Sequence, residues 1–231
     1  MQIILIAGLW FPASVWSPVV TELGRLGHQG IPVTVPGQGD GATSATLADQ
    51  VDAVLAAVDA AAGTGAGPVM VVGHSAASTL AWLAADARPD VVSPVVFIGG
   101  YPAADGQPYA EFFPVTEGAM PFPGWEPFAG PDSDDLDDHA KAELAAAAIA
   151  VPVGVSSGIV HLHDERRYDV RAVLICPEFT PEQAREWIES GQLPELARAR
   201  RLELVDLDSG HWPMVSRPVE LAESLARIAQ G

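Results

Sequence analysis

Residues 69–77 read VMVVGHSAA, and this stretch joins a predicted strand directly to a predicted helix. Its apolar, β-branched beginning predicts a buried strand over Val69–Val72, and the Ala-rich sequence that follows predicts a helix over Ala76–Ala87. A strand that enters a helix through Gly-x-Ser-x-small must turn sharply, so small residues are needed on both sides of the serine. We therefore expect Ser75 to stand, with a strained backbone, at the carboxyl edge of a sheet.

The same alternation of short apolar runs and helical stretches continues on both sides of this turn. Strands separated by helices form right-handed βαβ units with a parallel sheet, and runs without polar alternation are typical of strands buried on both faces. The sequence therefore predicts an α/β fold, a mostly parallel twisted sheet with helices on both faces, as one domain over residues 1–231. The further predicted strands are Ile3–Ile6, Ile31–Val35, Val92–Ile98, Ala172–Cys176 and Leu202–Leu207; the further helices are Ser17–Leu26, Leu47–Ala62, Pro181–Trp187 and Val219–Ala229.

The alternation breaks between two core strands, over about residues 101–169. This segment is rich in Pro, Gly and aromatic residues, and an acidic stretch from Asp132 to Asp138 is expected to open a helix running through Ala150. Clustered Asp residues at a helix N-terminus suit the helix dipole, so we interpret them as capping residues. An insertion of this length is too long for a simple connection and is typical of a lid over a site.

Composition limits the classes of function. The 231 residues include 30 Asp and Glu against 12 Lys and Arg, a formal charge of −18. Such a charge disfavours nucleic acid and anionic membrane surfaces as partners, because carboxylates repel phosphate. The single cysteine, Cys176, forms no internal disulfide and is expected in the core. With no targeting segment or membrane-spanning run apparent, we expect a cytoplasmic protein that acts on a small molecule; its oligomeric state stays open.

A serine nucleophile needs a base, and His211 is the best placed histidine. It follows the last predicted strand in the loop DSGHWP, residues 208–213, which emerges at the same sheet edge as Ser75. His74 is expected to point into the fold. The stretch His161–Asp164 has no further ligand cluster and is interpreted as structural, so no metal is predicted. The glycine-rich loop at residues 36–41 lacks a following helix and is not interpreted as a dinucleotide site.

Amide groups beside Ser75 complete the predicted site. The first strand ends in Ala7-Gly8-Leu9-Trp10, next to the strand of Ser75, so the Leu9 N–H joins the Ala76 N–H as an expected oxyanion donor. Trp10, Tyr101 and Trp212 are expected to line an apolar substrate pocket. No organic cofactor is implied, because the chain itself supplies nucleophile, base and oxyanion donors.

These motifs together resemble the α/β-hydrolase fold superfamily, and in particular the short-lid branch of plant methyl esterases and hydroxynitrile lyases. The likeness covers nearly the whole chain and is closest over Ile6–Trp16, Phe97–Pro102 and His211–Pro218. It implies that Ser75 is the nucleophile, His211 the base, and Leu9 and Ala76 the oxyanion donors.

The chain departs from the family pattern at two places. The usual His-Gly after the first strand is Ala7-Gly8, which is expected to alter loop packing and spare the oxyanion donor. The family's triad Asp is absent after Ala172–Cys176, where Glu178 is the only carboxylate in the turn. Glu178 is therefore the first candidate for the acid and Asp105 the alternative. Asp206 and Asp208 are less favoured.

The resulting hypothesis is a carboxylic-ester-type serine hydrolase that cleaves a small, apolar ester, lactone or thioester through an acyl-enzyme. One alternative is a lyase that uses the same triad, and its lysine-dependent version requires Lys141, the only lysine, to fold over the site. The other is a ligand-binding protein of this fold with little or no turnover, which the missing Asp would favour.

Overall fold

Parallel strands form the centre of the computed structural model, which describes residues 1–231. The six-stranded sheet has the order β2-β1-β3-β4-β7-β8, and β5 and β6 form a small antiparallel ribbon outside it. The α/β fold with a mostly parallel sheet is thus confirmed. The strands are β1 (Gln2–Ile6), β2 (Gln29–Val33), β3 (Val69–His74), β4 (Val92–Ile98), β5 (Ala119–Met120), β6 (Val151–Pro152), β7 (Ala172–Cys176) and β8 (Leu202–Asp206).

The helices lie on both faces of this sheet, as predicted. The second of them has the predicted bounds because Thr46 caps its first turn in a capping box with Asp49 and Gly63 follows its last residue. The helices are α1 (Ser17–Arg25), α2 (Leu47–Ala62), α3 (Ala77–Ala87), α4 (Asp138–Ala147), α5 (Val153–Ser156), α6 (Pro181–Glu189), α7 (Pro194–Arg198), α8 (Pro213–Ser216) and α9 (Pro218–Gln230). No helix is both long and apolar enough to span a lipid bilayer.

Two apolar layers hold the sheet, one on each face. Alternate strand residues point to opposite sides, so Ile4 and Val71 pack with α2 and α3, whereas Ile3 and Val72 pack with α1 and α9. All four side chains are fully buried. Burial on both faces explains why these strands are continuous apolar runs, and it holds the carboxyl edge of the sheet rigid where the functional loops emerge.

Several predicted boundaries differ from the structure by two or three residues, and for two of them the physical reason is clear. Strand β2 lies at Gln29–Val33 instead of Ile31–Val35, because it pairs with β1 from Gln2 opposite Gln29 to Ile6 opposite Val33. As an edge strand it tolerates the exposed Gln29, which an apolar-run criterion misses. Helix α4 ends at Ala147 instead of Ala150, where the extended conformation of Ala148 leads the chain into strand β6 of the lid ribbon.

The insertion at residues 101–169 contains α4, α5 and the β5–β6 ribbon, and it covers the sheet edge next to Ser75. Two hydrogen bonds tie it to the loop after β1. The Trp10 indole N–H donates to the Met120 carbonyl at 3.2 Å, and the Ile149 N–H donates to the Trp10 carbonyl at 2.8 Å. The lid is therefore attached directly to the loop that carries Leu9.

Candidate active site

The turn between β3 and α3 has the sharp geometry expected of it. Ser75 adopts a left-handed backbone conformation with φ of 54°, which costs on the order of 1–3 kcal/mol for a residue other than glycine. Its N–H donates to the Ile98 carbonyl at 2.8 Å. A Cβ atom on Gly100 would lie 2.5 Å from the Ser75 carbonyl oxygen, and one on Gly73 would overlap the Ala77 carbonyl. Small neighbours therefore allow the strained turn that presents Ser75.

His211 and Glu178 form a close pair beside this turn. His211 Nδ1 lies 2.7 Å from Glu178 Oε1, and each side chain is only 13% exposed. A carboxylate can only accept, so Nδ1 carries the proton and Nε2 remains the free nitrogen. His211 and Ser75 line the same cavity. No hydrogen bond joins the serine hydroxyl to the imidazole in this structure, as is common before a substrate aligns the two groups.

The structure brings Glu178 to the histidine and keeps the alternative acids away from it. Glu178 follows β7 by two residues, so it lies at the carboxyl edge next to the loop that leaves β8. Asp105 instead accepts a hydrogen bond from the Leu162 N–H at 2.9 Å, inside the lid. Asp206 and Asp208 are exposed. The longer glutamate side chain therefore reaches His211 from the turn in which the resemblance leads us to expect an aspartate.

Two backbone amides next to Ser75 are free of acceptors. The N–H groups of Leu9 and Ala76 make no hydrogen bond within the chain, although both residues are buried. Buried backbone N–H groups are nearly always paired, so two free ones beside Ser75 are suited to bind a negatively charged oxygen. The Gln38 amide donates to the Gly8 carbonyl at 2.8 Å, which holds the Leu9 loop in place.

The substitution of Ala7-Gly8 for His-Gly leaves this arrangement intact. A Cβ atom on Gly8 would approach His74 Nδ1 to 2.8 Å and the Ser75 Cβ atom to 3.1 Å. The glycine is therefore needed for close packing of the β1 loop on the elbow, whereas the preceding residue is not in the site.

His74 points into the fold, as predicted, but it also has a role that sequence reasoning missed. Its Nε2 lies 2.7 Å from the His211 carbonyl oxygen, and since a carbonyl only accepts, Nε2–H is the donor. Burial and the neighbouring His211 lower the pKa of His74 to about 3. His74 is therefore neutral at ordinary pH and holds the backbone of His211.

The cavity at Ser75 is small and aromatic. Its volume is about 100 Å³. Trp10 and Trp212 line it as predicted, but Tyr101 does not: its side chain is 47% exposed and lines a neighbouring cavity with Gly99 and Glu178. Three lid residues that sequence reasoning left among many aromatics take part instead. The apolar lining is Leu9, Trp10, Phe112, Phe113, Phe128 and Trp212.

The acidic stretch of the lid caps α4 with one residue only. Asp137 accepts from the Ala140 N–H at 2.7 Å. Asp135 instead accepts from the Gly210 N–H at 2.7 Å, and the Asp132 carbonyl accepts from the His211 N–H at 2.8 Å. Interpreting the whole stretch as caps was therefore wrong, because its first half binds the histidine loop.

Asp132 and Cys176 both have raised pKa values, and burial is the main cause in each case. Burial raises the pKa of Asp132, nearby Glu178 adds to this, and His211 opposes it. Burial raises the pKa of Cys176 to about 12, and its side chain lies wholly in the core, which confirms the prediction for that residue.

The motifs that were not assigned to the site, the glycine-rich loop and the stretch His161–Asp164, have structural roles. Asp40 accepts from the Gly37 and Ala42 N–H groups and so closes its own loop. Asp86 accepts from the N–H groups of His163 and Asp164, which anchors that end of the lid. Lys141 lies over the Trp125 ring, 6.0 Å from its centre, and is not among the residues that line the Ser75 cavity.

Known proteins share this architecture. Lipase LipV of Mycobacterium tuberculosis is 28% identical over 88% of this chain and 87% of its own length. An extracellular alpha/beta-hydrolase from a Paenibacillus species superposes with a TM-score of 0.77 at 17% identity, over 99% of this chain and 98% of its own. Tomato methylketone synthase I superposes with a TM-score of 0.76 at 17% identity, over 99% and 97%.

A family model extends the comparison to the sequence pattern itself. The model of the alpha/beta hydrolase family matches residues 3–224, which include the elbow, the glutamate and the histidine loop. With the parallel sheet and the strained serine turn, this match confirms the predicted superfamily. The chain belongs to the alpha/beta hydrolase family.

Proposed function

We propose that the protein is a serine hydrolase that cleaves a small, apolar carboxylic ester, lactone or thioester through an acyl-enzyme on Ser75. The observation that carries this proposal is the 2.7 Å contact between His211 Nδ1 and Glu178 Oε1 beside the strained serine. A paired histidine is oriented so that its other nitrogen accepts the serine proton. Membership of the family and the likeness to a lipase support ester hydrolysis as the class of reaction.

The chemistry takes two half-reactions on the same groups. Ser75 Oγ bonds to the substrate carbonyl carbon while His211 Nε2 takes the hydroxyl proton, and the Leu9 and Ala76 amides bind the negative oxygen. His211 returns the proton to the leaving alkoxide or thiolate as the bond to it breaks. Water then adds to the acyl-enzyme with His211 as base, and the acid product leaves as Ser75 regains its proton.

The cavity supports a small acyl group. Its volume of about 100 Å³ and its aromatic walls suit a short apolar chain. The relatives' names support the class of reaction and not the acyl length: one is a lipase, and the Paenibacillus hydrolase is described as sharing functional homology with a tobacco salicylic acid binding protein. Two observations weigh against the alternatives: Lys141, which the lysine-dependent lyase requires, is not among the residues that line the Ser75 cavity, and Glu178 contacts His211 although the family's Asp is absent.

Labelling by a fluorophosphonate probe, followed by intact mass, tests the proposal. Wild type should gain one label within minutes, Ser75→Ala none, and His211→Ala and Glu178→Gln should label far more slowly. Hydrolysis of p-nitrophenyl esters of increasing acyl length should then be fastest for the shortest chains. A folded wild type that neither labels nor turns over these esters contradicts the proposal and favours a binding protein.

A further inference from the structure

The loop that carries His211 leaves an edge strand and depends on neighbours outside the sheet. Strand β8 is the last strand, and most of its residues are only partly buried. Apart from the local bond of the Ser209 hydroxyl to the Gly210 carbonyl, three hydrogen bonds from outside the loop hold the backbone of Gly210 and His211. One comes from His74 at the elbow, and the other two come from the lid, through the Asp132 carbonyl and the Asp135 carboxylate.

Of the two lid contacts, the one from Asp135 is made by a side chain and is charge-assisted. Its Oδ2 accepts from the Gly210 N–H at 2.7 Å, one residue before His211. A carboxylate on a backbone N–H forms a shorter and stronger bond than a neutral acceptor does. The packing is close, because a Cβ atom on Gly210 would overlap Asp135 Oδ1 and lie 2.5 Å from the Asp132 carbonyl oxygen.

The Asp135 side chain forms no hydrogen bond with the lid itself. The α4 cap is Asp137, and the second oxygen of Asp135, Oδ1, is buried without a hydrogen-bond partner. A buried carboxylate oxygen without a partner costs free energy, so this arrangement is not one that lid stability alone favours. The one hydrogen bond that the carboxylate makes is to the histidine loop.

The same lid segment also touches the substrate cavity. Phe128 lines the cavity, and its carbonyl accepts from the Ser133 hydroxyl at 2.7 Å. Residues 128–135 thus form one folded turn with the cavity wall at one end and the histidine loop at the other. The cavity wall and the histidine loop are therefore joined through a short, hydrogen-bonded segment of the lid.

We propose that Asp135 is a positioning residue of the active site, which holds the lid on the Gly210 N–H and so places His211 for proton transfer with Ser75. This inference rests on the proposed function. It assigns to the lid a part in arranging the triad as well as in covering the cavity. Loss of the contact is expected to slow activation of Ser75 without weakening capture of a small probe.

The test compares Asp135→Ala, Asp135→Asn and Asp134→Ala. Asp134 is the matched control, because it is an exposed neighbour without a side-chain hydrogen bond. The readouts are the maximal rate of fluorophosphonate labelling, the probe concentration at half of that rate, and the melting temperature. Asp135→Ala should label at least tenfold more slowly at an unchanged half-saturating concentration. Asp135→Asn, which keeps an oxygen acceptor, should stay within threefold of wild type, and Asp134→Ala should not change.

The proposal is overturned if Asp135→Ala labels at the wild-type rate, if Asp135→Asn is as slow as Asp135→Ala, or if Asp134→Ala slows labelling equally. If Asp135→Ala does not fold, Asp135→Ser, whose hydroxyl is too short to span the gap, takes its place under the same criteria. The proposed function fails separately, by absence of labelling in wild type or by its persistence in Ser75→Ala.

Discussion

Glu178 Oε1 accepts a hydrogen bond from His211 Nδ1 at 2.7 Å across the ends of two neighbouring strands. Gly99 makes room for this pair: its φ is 58°, and a Cβ atom there would lie 3.1 Å from His211 Nδ1 and 3.2 Å from Glu178 Oε2. Because residue 99 is a glycine, its backbone leaves space for the Glu178 and His211 side chains to meet.

Replacing this acid should impair turnover sharply. Glu178→Gln removes the negative charge that selects the Nδ1–H tautomer, and we expect kcat for p-nitrophenyl acetate to fall by up to about 10⁴, the loss seen when a triad acid is neutralised. Steady-state kinetics of the wild type and the variant measure this loss of kcat. The controls are Glu182→Gln, a largely exposed residue four positions away, and Asp105→Asn, which keeps its acceptor for the Leu162 N–H. A larger loss in Asp105→Asn than in Glu178→Gln would move the acid into the lid.

Removing an aromatic side chain from the wall of the Ser75 cavity should shift the substrate preference toward longer acyl chains. Phe113 packs against Trp10 and Phe128, with ring centres 5.5 and 5.9 Å apart. Phe113→Ala opens space there, and each methylene newly buried contributes about 0.8 kcal/mol, or about fourfold in kcat/KM. The ratio of kcat/KM for p-nitrophenyl hexanoate over acetate should rise accordingly. Phe179→Ala, on the neighbouring cavity, is the control; equal shifts in both variants would show that the Ser75 cavity does not select the chain.

The buried His74 should make the fold sensitive to acid. The pKa of the His74 side chain is lowered to about 3 in the folded protein, whereas the pKa of the same side chain in the unfolded chain lies near 6.5. The unfolded state therefore binds one more proton between those values. The His74 contribution to stability is complete above pH 6.5 and is lost as pH falls, by about 1.4 kcal/mol per pH unit.

Urea unfolding at pH 7, 6 and 5 measures this loss. His74→Gln, which keeps a donor for the His211 carbonyl, should show a shallower decline of the unfolding free energy below pH 6.5 than wild type does. His139→Gln removes an exposed histidine and serves as the control, with the wild-type slope expected. Identical slopes in wild type and His74→Gln would mean that His74 titrates normally in the fold.

Cys176 should be inert in the native protein. Its side chain has no exposed surface, and burial raises the pKa of the thiol to about 12, so almost no thiolate is present to react. Iodoacetamide at pH 8 should leave the native chain unmodified by intact mass and add one group in urea. Rapid alkylation of the native chain would instead indicate that the end of β7 opens.

Local patterns in the sequence predicted most of the strands and helices. Buried strands such as Val92–Ile98 and Ala172–Cys176 and the helix Leu47–Ala62 have the predicted bounds, because apolar runs and capping residues act within a few positions of the chain. The misplaced strand β2 lies at the sheet edge, where pairing with β1 and not burial sets the register. The end of α4 was likewise set by a pairing distant in sequence, that of β6 with β5.

The sequence by itself determined the class of fold, the serine turn and the loop that carries His211, since each is encoded in a short, continuous stretch. The sequence ranked Glu178 before Asp105, but only the tertiary structure showed which of them contacts His211. It also placed Tyr101 outside the Ser75 cavity and brought His74 and Asp135 onto the backbone of the histidine loop. These contacts join residues 33 to 137 positions apart in the chain. They depend on which strand ends and lid turns meet in space, and no local preference of the chain encodes such a meeting.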